Sequence, residues 1–150
     1  MRILIAVSGT DDSSMDAVDA AAAFPWPPES LLRVITVGEK AHPSVAELIP
    51  GGRDVADVQQ MSDARAGTVA ASSAAKLQDR GWNVDTISLE GDPKSLIPEH
   101  AKEWGADLIV VGSSDRAAIE KFLLGSVSQA VVMRASCSVL VVKTRDTQER

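Results

Sequence analysis

Arg2-Ile3-Leu4-Ile5-Ala6-Val7, followed at once by Ser8-Gly9-Thr10-Asp11-Asp12-Ser13, is the stretch that sets the fold class. The first six residues form a short, almost unbroken apolar run. Such a run suits a strand covered on both faces, which is the situation in a parallel sheet. The six that follow are turn formers and helix N-caps. Beyond them Ala17, Ala20, Ala21 and Phe24 recur at helical spacing, and Pro25, Pro27 and Pro28 stop the helix.

The rest of the chain repeats this unit. Residues 31–37 read as a second strand, and residues 38–53, with Pro43, Pro50, Gly51 and Gly52, as a surface loop holding a short helical piece. A long helix is expected over 55–80, with a stripe of Ala66, Val69, Ala70, Ser73 and Leu77 and Gly81 as its C-terminal cap. A third, less buried strand covers 84–89. Gly91-Asp92-Pro93 opens the next helix, with Asp92 as N-cap and Pro93 in the first position. Ile97, Ala101 and Trp104 face inward, and Pro98 should distort the second turn. A fourth strand over 107–111, a helix over 125–134 and a β-branched fifth strand over 138–143 complete the pattern, with a frayed tail over 144–150. Strands alternating with helices predict one α/β domain over residues 1–150. Its core is a doubly wound five-stranded parallel sheet with right-handed crossovers and helices on both faces. Ligands of such sheets bind outside the carboxyl ends of the strands, where the strand order reverses.

Composition narrows the function. The chain has 150 residues, a net charge of -6 and a pI of about 4.8. Nucleic acid is therefore not expected as a partner, since phosphate neutralisation needs clustered Lys and Arg. A small anion held by backbone N–H groups remains compatible with that charge. The single cysteine, Cys137, fits a reducing compartment. The N-terminal apolar run is too short to span a membrane and no cleavage pattern follows it, so the expected location is the cytoplasm, away from membranes.

Two turns bear glycines after strands. One is Ser8-Gly9-Thr10. The other is Gly112-Ser113-Ser114-Asp115, which leads to Gly125-Ser126-Val127. Gly125 and Ser126 open a helix whose free N–H groups and positive dipole end attract an anion. Gly112 ends a buried strand and lets a ligand approach the backbone, and the Ser126 hydroxyl can donate to a phosphate oxygen.

Residues 105–113 (Gly-Ala-Asp-Leu-Ile-Val-Val-Gly-Ser), 123–131 (Leu-Leu-Gly-Ser-Val-Ser-Gln-Ala-Val) and 137–142 (Cys-Ser-Val-Leu-Val-Val) resemble the universal stress protein family, as do Ile3–Val7 and the Gly91-Asp92-Pro93 turn. The resemblance covers nearly the whole chain and is weakest over 38–53. It implies a sheet in the order 3-2-1-4-5, of the adenine nucleotide alpha hydrolase-like kind, and homodimers paired through the fifth strand. Many members bind ATP through G-x-x-G, nine residues, then G-S or G-T. Carried onto this chain, the resemblance implies an adenine nucleotide, ATP or AMP with or without Mg²⁺, at Ala6, Ser8, Val37, Gly112, Asp115, Gly125, Ser126 and Val127. No fast turnover is expected.

Two positions depart from that pattern. Asp115 replaces the middle glycine, and Ser8 stands where ATP-binding members carry Asp. Asp tolerates positive φ better than most residues. Its charge is unfavourable, however. A carboxylate about 4 Å from a phosphate costs on the order of 4 kcal/mol at an effective dielectric near 20, a cost that solvent or a divalent metal reduces. A dimeric interaction module that has lost nucleotide binding is therefore the alternative. Residues 8–13 also resemble the Ser-Gly-Gly-x-Asp-Ser loop of PP-loop ATP pyrophosphatases, with Thr10 at the second glycine; a capped helix start is the favoured reading of them, and the C-terminal block does not fit that enzyme. Cys137 reads as a structural thiol, His42 and His100 lack a third metal ligand, and Trp26, Trp82 and Trp104 read as packing. Arg116 and Lys121 lie between the halves of the glycine pattern, within reach of a phosphate or in solvated loop.

Overall fold

The computed structural model describes residues 1–8, 13–40, 54–113 and 124–143. Five strands run β1 (Arg2–Val7), β2 (Leu31–Gly38), β3 (Asn83–Glu90), β4 (Leu108–Gly112) and β5 (Ser138–Val142). Between them lie α1 (Ser13–Ala23), α2 (Val55–Gln78), α3 (Pro93–Trp104) and α4 (Ser126–Arg134). All strand pairs are parallel and the order is β3-β2-β1-β4-β5. The expected sheet and its order are therefore what the chain forms.

β1 sits at the centre, and Ile3, Leu4 and Ile5 have no exposed surface. Alternate residues enter two cores. Ile3, Ile5 and Val7 join Leu32, Val34 and Val110 beneath α1 and α2. Leu4 joins Ile35, Ile109 and Val111 beneath Ile97 and Ala101 of α3 and Val131 of α4. This period-two division is why β1, β2 and β4 read as continuous apolar runs.

Local chemistry sets the element ends. Asp92 caps α3 by accepting from the Lys94 N–H at 3.0 Å, and Gly105 closes it in the left-handed region at φ 71°. α2 ends at Gln78, two residues before the expected limit. Gly81, at φ 89°, turns the chain, with its N–H on the Gln78 carbonyl (2.8 Å) and the Trp82 N–H on Leu77 (3.3 Å). In α1 the buried face is Ser14, Ala17, Val18 and Ala21. Phe24, expected on that face, lies beyond the helix end, is exposed, and stacks on Trp26 with ring centroids 4.8 Å apart.

Two prolines each free a carbonyl four residues back, and each carbonyl finds a side-chain donor. Pro25 cannot bond Ala21, whose carbonyl instead accepts the Trp26 Nε1–H at 2.8 Å. Pro98 cannot bond Lys94, whose carbonyl lies 3.4 Å from Arg134 Nη1. Arg134 also donates to Ser95 Oγ at 3.2 Å. The helix therefore runs through Pro98 without a break, and the guanidinium links the amino end of α3 to the carboxyl end of α4.

Near the amino ends of β2 and β3, Arg33 donates to both Asp85 oxygens (2.8 and 2.7 Å) and lies 4.5 Å over the Trp104 ring. Arg33 Nη1 is 3.3 Å from His100 Nε2. A guanidinium only donates, so His100 accepts there and is neutral. Burial, then the Arg33 charge, lowers the His100 pKa, against smaller opposing effects of Glu103 and Asp85. The hydrogen bonds from Arg33 hold Asp85 below its ordinary value. Both shifts act in one direction. The stability from neutral His100 is complete above its unfolded-state pKa of about 6.5 and is lost as pH falls below it, and that from ionised Asp85 is lost below about 3.9. Unfolding by urea should show stability declining from pH 6.5 to 5, and His100→Gln should flatten that decline; an unchanged slope in the variant would show that His100 is not its source.

Candidate functional site

The carboxyl ends of the strands form one rim, and its geometry changes between β1 and β4. The β1–β2 ladder continues to Val7–Thr36 and the β4–β5 ladder to Gly112–Val142. The β1–β4 ladder stops earlier, at Ile5–Val110. From β1 the chain passes to α1 on one face, and from β4 it reaches α4 on the other. The two central strands therefore part where the winding reverses, the position at which open α/β sheets hold ligands in a crevice.

On the β1 side, the Ser8 N–H donates to Ser14 Oγ at 2.8 Å, and Ser14, in the first turn of α1, is buried. On the β4 side, the Ser113 N–H bonds the Val142 carbonyl at 2.8 Å and the Gly125 N–H bonds the Ser113 carbonyl at 3.0 Å. The head of α4 is thus fastened to the end of β4. Ser128, buried one turn into α4, donates its hydroxyl to the Gly112 carbonyl and makes a second tie. Gly125 is the N-cap of α4, and among the described residues no side chain caps that end. The N–H groups of the first turn have no intrahelical acceptor, and the helix dipole makes this end positive.

The expected site residues divide into two layers. Ser8, Gly112, Gly125 and Ser126 lie along the rim. Ala6, Val37 and Val127 are half-buried just beneath it and pack in the same core, on the α3–α4 face. Asp115, Arg116 and Lys121 lie outside the described residues, as do His42, most of the expected 38–53 loop, the 144–150 tail and residues 9–12 of the pyrophosphatase-like loop. Among the described residues no group of three metal-ligating side chains occurs, and no helix is long and apolar enough to cross a membrane.

The other residues singled out by the sequence lie at the opposite rim. Trp26, Trp82 and Trp104 precede β2, β3 and β4 and pack against the two cores. Cys137 precedes β5, and burial, followed by the Asp107 charge, raises its pKa, which keeps it a protonated, weakly nucleophilic thiol. Ser14, Ser128 and Gly38 escaped sequence reasoning. Ser14 belongs to a polar run that signals a helix start, but nothing local announces that Ser128 meets Gly112.

The profile of the Universal stress protein family matches residues 1–143. The chain belongs to the universal stress protein family. The Universal stress protein YxiE of Bacillus subtilis is 29% identical over 147 residues, covering 95% of this chain and 98% of its own length. A Staphylococcus epidermidis protein named as a universal stress protein is 50% identical over 68 residues, which is 45% of this chain and only 41% of that relative. Among solved structures, the universal stress protein UspA from Lactobacillus plantarum superposes with a TM-score of 0.77 at 22% identity, covering 95% of this chain and 97% of that one. A universal stress protein in complex with cAMP gives 0.67 at 25% identity, with coverages of 97% and 98%. A family member from Arabidopsis thaliana with AMP bound gives 0.68 at 21%, with coverages of 99% and 94%.

The Ser128 tie is open to direct measurement. Ser128→Ala should lower stability by about 1 kcal/mol and speed amide exchange in the first turn of α4. Unchanged exchange at Gly125 and Ser126 would show that the hydroxyl does not hold the helix head.

Proposed function

We propose that this universal stress protein is a cytoplasmic regulatory protein that holds an adenine nucleotide, ATP or AMP, in the crevice between β1 and β4 and does not turn it over rapidly. One observation carries the reading. The N-terminus of α4, with Gly125 at its head, is fastened beside Gly112 and Ser113 where β1 and β4 part. Backbone N–H groups of Ser126 and Val127 and the Ser126 hydroxyl suit a phosphate there. Ala6 and Val37, half-buried below the rim, offer an apolar floor for the rest of the nucleotide, and Ser8 one hydroxyl for the ribose. The relatives with cAMP and with AMP bound support the ligand class.

A homodimer is part of this reading. β5 is an edge strand with four half-buried apolar residues, Val139 to Val142, and Val132 and Met133 of the adjoining α4 are 43% and 79% exposed. An apolar edge of this kind needs cover. The same surface supports the second reading, a dimeric interaction module without a nucleotide, to which Asp115 and Ser8 point. Sedimentation at several concentrations tests the dimer common to both.

Calorimetry separates the two. AMP should bind with a sub-millimolar Kd. ATP without metal should bind more weakly than AMP and should recover about tenfold, or about 1.4 kcal/mol, with Mg²⁺ or in Asp115→Gly. Absence of binding by either nucleotide at millimolar concentration would overturn the nucleotide reading and leave the interaction module.

A further inference from the structure

We propose that the groove along the seam of α3 and α4 is a second, low-affinity site for a small phosphate monoester, separate from the crevice between β1 and β4. The inference does not rest on the nucleotide reading.

Ser95, Pro98, Glu99 and Lys102 recur at spacings of three and four, so they share one face of α3. That face forms one wall of the groove, and Arg134 at the end of α4 and Ser136 just beyond it form the other. Pro98 is buried and closes the bottom. The groove opens to solvent and holds about 270 Å³, the space of about nine waters. This is less than the roughly 300–1,000 Å³ of pockets for drug-sized ligands, so the ligand it suits is small. α3 packs on β2 and α4 on β5, which sets their seam over the middle of the sheet rather than at the β5 edge. The lining shares no residue with the carboxyl rim at Ser8, Gly112, Gly125 and Ser126.

The donors decide the ligand class. Arg134 is anchored through Nη1 alone, on the Lys94 carbonyl at 3.4 Å and Ser95 Oγ at 3.2 Å. Among the described residues its Nε and Nη2 meet no acceptor, and neither Arg134 nor Lys102 stands in an ion pair. A guanidinium fixed on one side offers its remaining N–H groups as a rigid fork, which matches two oxygens of a phosphate. Lys102 adds an ammonium, and Ser95 and Ser136 each add a hydroxyl. The Ser95 hydroxyl now donates to Asp92 Oδ2 at 3.4 Å, a long bond that a ligand oxygen can replace. This donor set exceeds what the two oxygens of a carboxylate use, and a phosphate monoester brings three terminal oxygens and about two negative charges. Glu99 opposes it, leaving two cations against one carboxylate in the lining. With the open mouth, that repulsion keeps the affinity low, and it favours a single phosphate whose carbon part lies toward Glu99 and Pro98.

The test is an amide ¹H–¹⁵N titration of the full chain with glycerol 3-phosphate, and with acetate at the same ionic strength. The phosphate ester should give saturable shifts at Ser95, Glu99, Lys102 and Ser136 and at the Arg134 Nε–H, with a Kd on the order of 1 mM. Acetate should not saturate them in that range. Lys102→Gln should weaken the ester about threefold and Glu99→Gln should tighten it about threefold. Arg134→Gln should weaken it about tenfold. Lys102 and Glu99 are exposed, so their variants should unfold at the wild-type temperature even if the loss of Arg134 loosens the seam. Shifts confined to the head of α4 would place the phosphate in the crevice and overturn the groove site while the nucleotide reading stands. An equal response to acetate, no saturable shift at all, or an unchanged Kd in both Lys102→Gln and Glu99→Gln would overturn it as well.

Discussion

A central strand that buries both faces constrains everything around it. Ile3, Leu4 and Ile5 have no exposed surface, so the strand needs a helical layer above and another below. Parallel neighbours then require a crossover after every strand, and each crossover carries the chain back across the sheet. All five carboxyl ends therefore gather on one rim. Two pairs of helices, α1 with α2 and α3 with α4, satisfy the two faces. The crevice is a consequence: the chain winds outward from β1 in both directions, and the two central strands separate where the windings meet.

The two rims have different chemistry. At the amino rim, Trp26, Trp82 and Trp104 close the cores, and Arg33 is held between Asp85, His100 and the Trp104 ring. Arg2 adds to this layer, with its Nη1 on the Trp104 carbonyl at 2.6 Å and its backbone N–H on Asp107 at 2.7 Å. These are large side chains in fixed contacts, suited to stability. At the carboxyl rim the buried polar groups are small hydroxyls: Ser14 on Ser8, Thr36 on Ser88 at 2.9 Å, and Ser128 on Gly112. They satisfy backbone and side-chain groups with little side-chain bulk.

Much of this was legible in the sequence because it depends on local chemistry. An apolar run buried on both faces identifies β1, and Asp92-Pro93 identifies the start of α3. The glycine pair Gly112 and Gly125 marks the two segments that hydrogen bonds join through Ser113. What escaped depends on contacts distant in sequence. Pro98 was expected to distort α3, but the carbonyl it frees meets Arg134 from another helix. Phe24 matched the helical period of α1, yet the prolines end that helix first and Trp26 takes the buried place.

If the crevice is where this universal stress protein meets its ligand, backbone amides there must respond first. The most direct measurement is an amide ¹H–¹⁵N NMR titration with AMP. Saturable shifts should concentrate at Gly112, Ser113, Gly125, Ser126 and Val127, extend to Ser8 and Gly38, and spare Trp26, Trp82 and Trp104 at the opposite rim. Saturable shifts centred on the amino rim, or on the outer faces of α4 and β5 with the head of α4 unmoved, would contradict it.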